Sequence, residues 1–202
     1  MRSRSIIALA AFSLAACASL VAPDVRTEPA ALRSGAYSLD KEHGSLLFKV
    51  KHLGYSLYVG RFDRFDASLD FDETSPAAAK AEAIIDMSSL DVANDAFAET
   101  LRGPDWFDAA RYPEAVFRTT AIAVSGDNSG TMTGELTLHG VTRPVSLDVV
   151  FNGGASDFLR GGYVVGFSAR GSIKRSDFGV DKYGAIVGDE VAIEIEAEFV
   201  RG

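Results

Sequence analysis

The chain has 202 residues, enough for one domain with a single core or cavity, and a net charge of -8 at pH 7. That acidity argues against a nucleic-acid partner, because phosphate binding requires clustered Lys and Arg. A single cysteine excludes an internal disulfide, and 19 Gly and 13 Phe among short apolar runs favour an all-β fold.

The first residues are typical of an export signal. Arg2 and Arg4 precede an apolar run, residues 6–14, that is too short to span a bilayer. The run ends in Leu14-Ala-Ala-Cys17, which resembles the lipobox of bacterial lipoproteins. We therefore predict a signal peptide over residues 1–16 and lipidation of Cys17. A plain signal peptide, in which this cysteine has no role, is the alternative.

Residues 17–36 are rich in Ala, contain Pro23 and Pro29, and show no clear period. We interpret them as a lipidated tether between a membrane and a domain over residues 37–202. Ala18 follows the cysteine, and the resemblance to Gram-negative lipoproteins then favours the outer membrane. The expected location is the cell envelope, lipid-anchored and facing the periplasm.

From Tyr37 onward the pattern is that of about eight strands joined by turns. A change of parity near Asp63-Arg64 predicts a bulge, and Gly-rich turns are expected at 126–130, 152–154 and 160–162. This spacing predicts an antiparallel barrel or a tightly wrapped sheet. The predicted strands lie at 46–52, 58–62, 65–71, 81–87, 115–124, 131–138, 145–151, 163–171 and 191–199.

The last predicted strand has the clearest alternation. Apolar residues at 191, 193, 195, 197 and 199 alternate with Glu194, Glu196 and Glu198. Such a two-sided strand indicates a sheet with an apolar interior and a charged exterior in water.

One segment departs from the strand pattern. Asn94 or Asp95 can cap a helix that Gly103-Pro104 ends, and Asp105 can cap a second short helical turn that carries Trp106 and Phe107. We expect this helical segment to cap one end of the barrel.

Three histidines are the natural candidates for chemistry. His43 and His52 have opposite parity on one strand, and His139 lies in a predicted hairpin turn, so no metal site is expected. No nucleophile motif or phosphate-binding glycine loop occurs, and the sequence calls for no cofactor.

His52 shares the parity of Phe48 and Val50 and should therefore point inward. Its role stays open, because it can be an interior histidine with a structural hydrogen bond or a histidine that contacts a ligand. Arg175 is equally ambiguous, because it can supply charge near a barrel mouth or brace the loop before the last strand. Four more arginines, of unsettled facing, share the first possibility: Arg61, Arg64, Arg118 and Arg170.

Several segments together resemble the YceI-like family of polyisoprenoid-binding, lipocalin-like bacterial proteins. They occur in the family's order, and they cover nearly everything from Tyr37 to Phe199. The resemblance implies an eight-stranded barrel with an elongated apolar cavity, export from the cytoplasm, and isoprenoid or long acyl ligands. It implies no catalytic residues. The segments are residues 43–54, 60–62, 101–113, 138–145, 175–179 and 187–193.

The resulting hypothesis is a non-enzymatic protein that binds a long polyisoprenoid, isoprenoid quinone or fatty acyl chain for transport, storage or sequestration. His52 is the expected polar contact to a head group. The residues predicted by parity to contact the ligand are Phe48, Val50, His52, Phe62, Phe117, Leu136, Leu147, Phe167, Ile193 and Ile195.

Two alternatives stay open at this point. One is a lipid-modifying enzyme that uses His52. The other is a filled barrel that serves as an adaptor on the membrane, with Trp106 and Phe107 as exposed partner contacts. The oligomeric state is also open, a homodimer included.

Overall fold

The computed structural model describes residues 22–28 and 31–202. The predicted signal peptide and Cys17 lie outside the described residues. Within the described ranges, no helix combines the length and the apolar character that a membrane-spanning helix requires.

The described chain is mostly antiparallel sheet, with one α-helix. The helix, α1, runs over Asp95–Arg102, and short 3-10 turns occur at Pro76–Ala78, Met87–Ser89 and Arg175–Phe178. The strands are β1 Gly35–Leu39, β2 Ser45–His52, β3 Ser56–Phe62, β4 Phe65–Phe71, β5 Lys80–Asp86, β6 Leu90–Val92, β7 Glu114–Val124, β8 Ser129–Leu138, β9 Val141–Asp157, β10 Gly162–Lys174 and β11 Val187–Arg201.

These eleven strands occupy eight positions around a closed barrel. Three pairs, β1 with β2, β3 with β4, and β5 with β6, each follow one line along the barrel with a break between them. β11 closes the ring, because its carboxyl end pairs with β1 while its amino end pairs with β2. The predicted fold class, an antiparallel barrel of about eight strands, is confirmed.

The predicted irregularity at Asp63-Arg64 is one of these breaks. β3 ends at Phe62 and β4 begins at Phe65, next to the break between β5 and β6. Ser89 joins the two breaks, since its backbone oxygen accepts from Asp63 N at 3.1 Å and its hydroxyl oxygen accepts from Arg64 N at 3.0 Å. Two strand pairs therefore bend together, which satisfies backbone groups that would otherwise lose their partners.

The alternation of β11 holds in three dimensions. Its glutamates lie on the outside, where Glu194 binds Lys49 of β2 at 2.8 Å and Glu198 binds Arg160. Ile193 and Ile195, on the opposite side, point into the barrel.

α1 lies at one end of the barrel, as expected. The Asn94 side chain caps it by accepting from Phe97 N at 2.9 Å, and Leu101 is buried. The predicted second short turn is present at residues 104–107, where Trp106 N donates to the backbone oxygen of Gly103 at 3.1 Å. Asp105 does not cap it as predicted, because its carboxylate binds Lys182.

A second correction concerns the predicted turn at residues 152–154. These residues lie inside β9, which extends to Asp157, and the register between β9 and β10 shifts there. Gly153 adopts a φ of 132°, which a strand tolerates at a bulge when the residue is Gly. Glycine pairs therefore marked a bulge in this case and a turn at 160–162.

The segment before β1 is partly integrated into the fold. Arg26 and Gly154 of β9 exchange two backbone hydrogen bonds, and Leu32 is buried in the apolar core near Tyr37. The predicted tether of residues 17–36 thus contacts the barrel at Arg26 and again at Leu32.

Candidate ligand cavity

The barrel encloses an apolar cavity of about 1140 Å³. Known small-molecule pockets have volumes of roughly 300–1,000 Å³, so this cavity exceeds the space that a drug-sized ligand needs. Its sides consist of inward-facing residues from strands all around the ring. The shape and chemistry suit one long apolar molecule.

All ten residues that the sequence singled out line this cavity. Most are only partly buried, although they point inward, because their surfaces are exposed to the cavity. Ile193 and Ile195 of β11 are examples, opposite Phe48 and Leu46 of β2. Whether these residues contact a ligand stays a prediction, but the barrel they line is not filled by their side chains.

Aromatic rings surround the cavity near α1. Phe62 packs against Phe48 with ring centroids 5.8 Å apart and against Phe107 at 6.3 Å. Tyr58 meets Phe97 of the helix edge to face at 5.8 Å. These contacts join β2, β3 and the helix into one apolar boundary.

This end of the barrel, which we call the hairpin end, carries the β2–β3 turn, α1 and the loop that precedes β11. His52 lies at its mouth, lines the cavity and is exposed to solvent, with its ring 6.3 Å from that of Tyr58. The interpretation of His52 as a buried structural histidine is therefore wrong. β2 ends at His52, at the mouth of the cavity, so an inward-facing side chain at this position still contacts solvent.

The opposite end, which we call the loop end, carries the β4–β5 loop and the β7–β8 turn. Here the cavity lining becomes polar and acidic. The side chains involved are Glu73, Asp127, Asn128, Ser129 and Thr131.

Arg175 is a structural brace of the hairpin end. Its buried guanidinium donates to the backbone oxygens of Val180, Lys182, Val187 and Gly188 at 2.7–3.0 Å. All four acceptors belong to the loop between β10 and β11 or to the start of β11. Because these donors are already engaged, Arg175 is not a free cation for a ligand.

The other histidines are engaged elsewhere. His43 lies 2.9 Å from an Asp40 carboxylate oxygen, and His139 Nδ1 lies 3.1 Å from the backbone oxygen of Phe178. His139 and Gly140 both have positive φ, as a two-residue hairpin turn requires, which agrees with the predicted turn. Among residues 22–28 and 31–202, no three His, Cys, Asp or Glu side chains are placed to hold a metal ion.

Trp106 and Phe107 differ from what the adaptor alternative expects. Trp106 is only 7% exposed, packs in the core below α1, and lines the cavity together with Phe107. They are part of the cavity boundary and not a free partner surface.

Sequence parity missed lining residues that lie outside regular strands. Val180 and Leu32 line the cavity, yet both come from loops, where alternation gives no signal. The apolar character of Leu32 shortly before β1 was the one available hint.

Comparisons with known proteins agree with this geometry. Residues 37–199 match the model of the YceI-like domain. A curated relative from Yersinia pestis (strain Pestoides F), a UPF0312 protein, is 38% identical over 167 residues, which cover 82% of this chain and 86% of the relative.

Two solved structures have the same fold. BcnA of Burkholderia cenocepacia matches with a TM-score of 0.72 and 30% identity, over 79% of this chain and 98% of BcnA. A polyisoprenoid binding domain from Saccharophagus degradans matches with a TM-score of 0.62 over 82% of this chain and 98% of that domain. Its 18% identity establishes likeness of fold alone.

Proposed function

The chain belongs to the YceI-like family, and we propose that it binds one long apolar lipid in the barrel cavity, for transport, storage or sequestration at the bacterial envelope. The observation that carries this proposal is the apolar cavity of about 1140 Å³. The polyisoprenoid-binding domain from Saccharophagus degradans has the same fold, which supports a polyisoprenoid, an isoprenoid quinone or a fatty acyl chain as the ligand.

The energetics favour binding through the tail. Transfer of a chain of about twenty carbons from water into an apolar cavity contributes on the order of 16 kcal/mol, at about 0.8 kcal/mol per methylene. Ordering of the chain and loss of its translational freedom offset a large part of this. Affinity can therefore come from the tail alone, with one polar contact near His52 for the head group.

Extraction of lipid from the purified protein, followed by mass spectrometry, tests the proposal. We expect about one long-chain lipid per barrel. A protein that contains no lipid and takes up neither a polyprenyl nor a long acyl probe would overturn it.

A catalytic role gains no support from the site. Among the described residues, no carboxylate forms a hydrogen bond with the His52 ring, although a histidine base is usually oriented by such a group. We therefore propose binding without turnover, and an altered lipid after incubation with the protein would contradict this.

We further propose that the protein is attached to the envelope, on the periplasmic side of the outer membrane, through lipid on Cys17. The support is the Leu14-Ala-Ala-Cys17 sequence for the lipid, and Ala18 after it for the outer membrane. More than one acyl chain would make the attachment stable, because one chain binds only marginally. Metabolic labelling with a palmitate analogue should mark the wild type and not Cys17→Ala, and an unlabelled wild type would refute the attachment.

A further inference from the structure

An exposed apolar surface surrounds the mouth of the cavity at the hairpin end. In the described part of the chain, thirteen large apolar side chains are exposed, and seven of them lie at this end. The seven are Leu53, Tyr55, Leu57, Val59, Phe97, Tyr183 and Ile186. We call Leu53, Tyr55, Leu57, Tyr183 and Ile186 the apolar rim.

The apolar rim is one connected feature built from two segments. Leu53, Tyr55 and Leu57 belong to the β2–β3 hairpin, and Tyr183 and Ile186 to the loop before β11. Leu53 N donates to the backbone oxygen of Ile186 at 3.1 Å, which joins the two segments. The Arg175 brace holds the second segment from below through Val180 and Lys182.

Two rim residues occupy backbone conformations that disfavour them. Leu53 has a φ of 51° and Tyr183 a φ of 58°, in the left-handed region where Gly, Asn or Asp is preferred. Both side chains are about half exposed, although the Tyr183 ring also packs against Trp106, with ring centroids 6.0 Å apart. Strained apolar residues at a ligand mouth point to a function outside the fold itself.

The rim is continuous with the cavity. Tyr183 and Ile186 line the cavity and also reach the surface, as does the neighbouring Phe97. An apolar path therefore runs from the interior to the outside of the protein. At the loop end the lining is mixed, because polar and acidic side chains such as Asp127 lie beside Val124, which lines the cavity and is exposed.

We propose that the apolar rim docks on the surface of a lipid bilayer, so that the ligand passes between bilayer and cavity without crossing water. This inference rests on the proposed function. A lipid that left through water would expose its whole tail and lose most of the free energy that binds it. Contact between the rim and the bilayer removes that barrier.

The side chains of the rim suit a bilayer interface. Tyr rings sit at the boundary between head groups and acyl chains, where one edge is apolar and the other is hydrated. The charges beside the rim have both signs, since Lys182 pairs with Asp105 and Asp189 interacts with the nearby cation Lys174. Docking should therefore depend on apolar insertion, and vesicles of zwitterionic phosphatidylcholine should suffice.

The test compares the two ends of the barrel in one background, residues 18–202, which lack both the apolar run of the predicted signal peptide and Cys17. The rim variant is Leu53→Asn with Tyr55→Ser. Asn is favoured in the left-handed position of this turn, so the variant should fold. The control variant is Phe158→Ser with Leu159→Ser, which removes an apolar pair that is at least as exposed from the β9–β10 turn at the loop end.

Two measurements are made with phosphatidylcholine vesicles: flotation of the protein, and the rate at which a fluorescent long-chain probe moves from protein to vesicle. We expect the rim variant to float at least about tenfold less and to transfer the probe about tenfold more slowly. The control should match the parent within about twofold.

Equilibrium binding of the same probe, measured without vesicles, separates this inference from the proposed function. The rim variant should bind the probe as the parent does. If the parent binds no probe, the proposed function fails. If the parent binds but rim and control variants transfer alike, only bilayer docking is overturned. A rim variant that changes from dimer to monomer, with unchanged flotation, would assign the rim to a second copy of the chain and overturn the docking as well.

Discussion

The two ends of the barrel differ in chemistry although the same strands run between them. At the hairpin end the cavity opens among Tyr183, Ile186 and Phe97, with His52 as the polar group. At the loop end it reaches Glu73 and Asp127. An apolar tail gains nothing from carboxylates, and an anionic head group is repelled by them. The difference supports our proposal that the head group lies near His52, and we expect the ligand to enter and leave at the hairpin end.

The two ends are also held by different kinds of arginine contact. Arg175 at the hairpin end is buried and donates to four backbone oxygens. Arg160 at the loop end binds the carboxylates of Asp157, Asp40 and Glu198, and these raise its pKa. The stabilisation from hydrogen bonds to backbone carbonyls does not depend on pH. The stabilisation from ion pairs with carboxylates does, because carboxylates are protonated at low pH.

Replacement of Arg175 should have the largest effect. Arg175→Lys keeps the charge but cannot reach four carbonyl oxygens with one ammonium group. We expect a loss of about 2–4 kcal/mol in the free energy of unfolding, measured by urea denaturation. The matched Arg160→Lys, on the surface of the other end, should lose clearly less. Equal losses at both ends would contradict the structural role given to Arg175.

Filling the cavity midway between the ends should weaken ligand binding. Ile193→Trp places a larger ring into the cavity and should reduce the affinity for a long-chain probe at least about tenfold. Its neighbour Ala192 belongs to the outward side of β11, so Ala192→Trp should change the affinity less than about twofold. Displacement of a fluorescent fatty acid measures both, and the same affinity in both variants would argue against a ligand inside the barrel.

The affinity for a lipid with a polar head group should depend on residues at the hairpin end and not on those at the loop end. His52→Ala should reduce the affinity for a lipid with a polar head group by about threefold to tenfold, which is the effect of losing one hydrogen bond. A hydrocarbon probe without a head group should bind unchanged. The double variant Glu73→Gln with Asp127→Asn should leave the affinity for both probes unaltered. If instead this loop-end variant alone changes the selectivity, the orientation of the ligand is the reverse.

The smallest effect is expected from replacing Asp157, which should change the pH dependence of stability. The hydrogen bond from the Arg160 side chain, together with backbone N–H groups of Arg160 and Leu159, lowers the pKa of Asp157. A lowered pKa contributes stability above the unfolded value, about 3.9, and this is lost as pH falls through the folded value.

Asp157→Asn should therefore be less stable than the wild type at pH 7, and this difference should shrink below about pH 4. The loss in free energy of unfolding caused by Arg175→Lys should stay nearly constant over the same pH range. Unfolding curves at pH 7 and pH 3.5 give both differences in the free energy of unfolding. A loss of stability in Asp157→Asn that is as large at pH 3.5 as at pH 7 would contradict the cause assigned to this pKa.

Sequence periodicity was most informative where strands are regular. The inward side of β11 could be predicted because every second residue changes from apolar to Glu, and burial forces that choice. The helix cap at Asn94 was also predictable, since the cap and the stop at Gly103-Pro104 are local signals. The barrel itself followed from the number and spacing of the strands.

Features set by tertiary contacts could not be predicted in this way. The Gly153 bulge depends on the pairing of Gly154 with Arg26, which is far away in sequence. The exposure of His52 depends on where β2 meets the barrel mouth, and the carbonyl partners of Arg175 depend on the folding of the loop that follows it. The open interior could not be predicted either, because inward-facing Phe and Ile residues occur in filled and in hollow barrels.

The most direct test of a lipid chain inside the barrel uses Trp106, the single tryptophan of the chain, which is buried and lines the cavity near the hairpin end. Long-chain fatty acids with bromine atoms either near the carboxyl group or near the tail end are titrated against its fluorescence. We predict saturable quenching at one equivalent, stronger for bromine near the carboxyl group. A folded protein whose Trp106 fluorescence is unchanged by both probes would contradict the central claim.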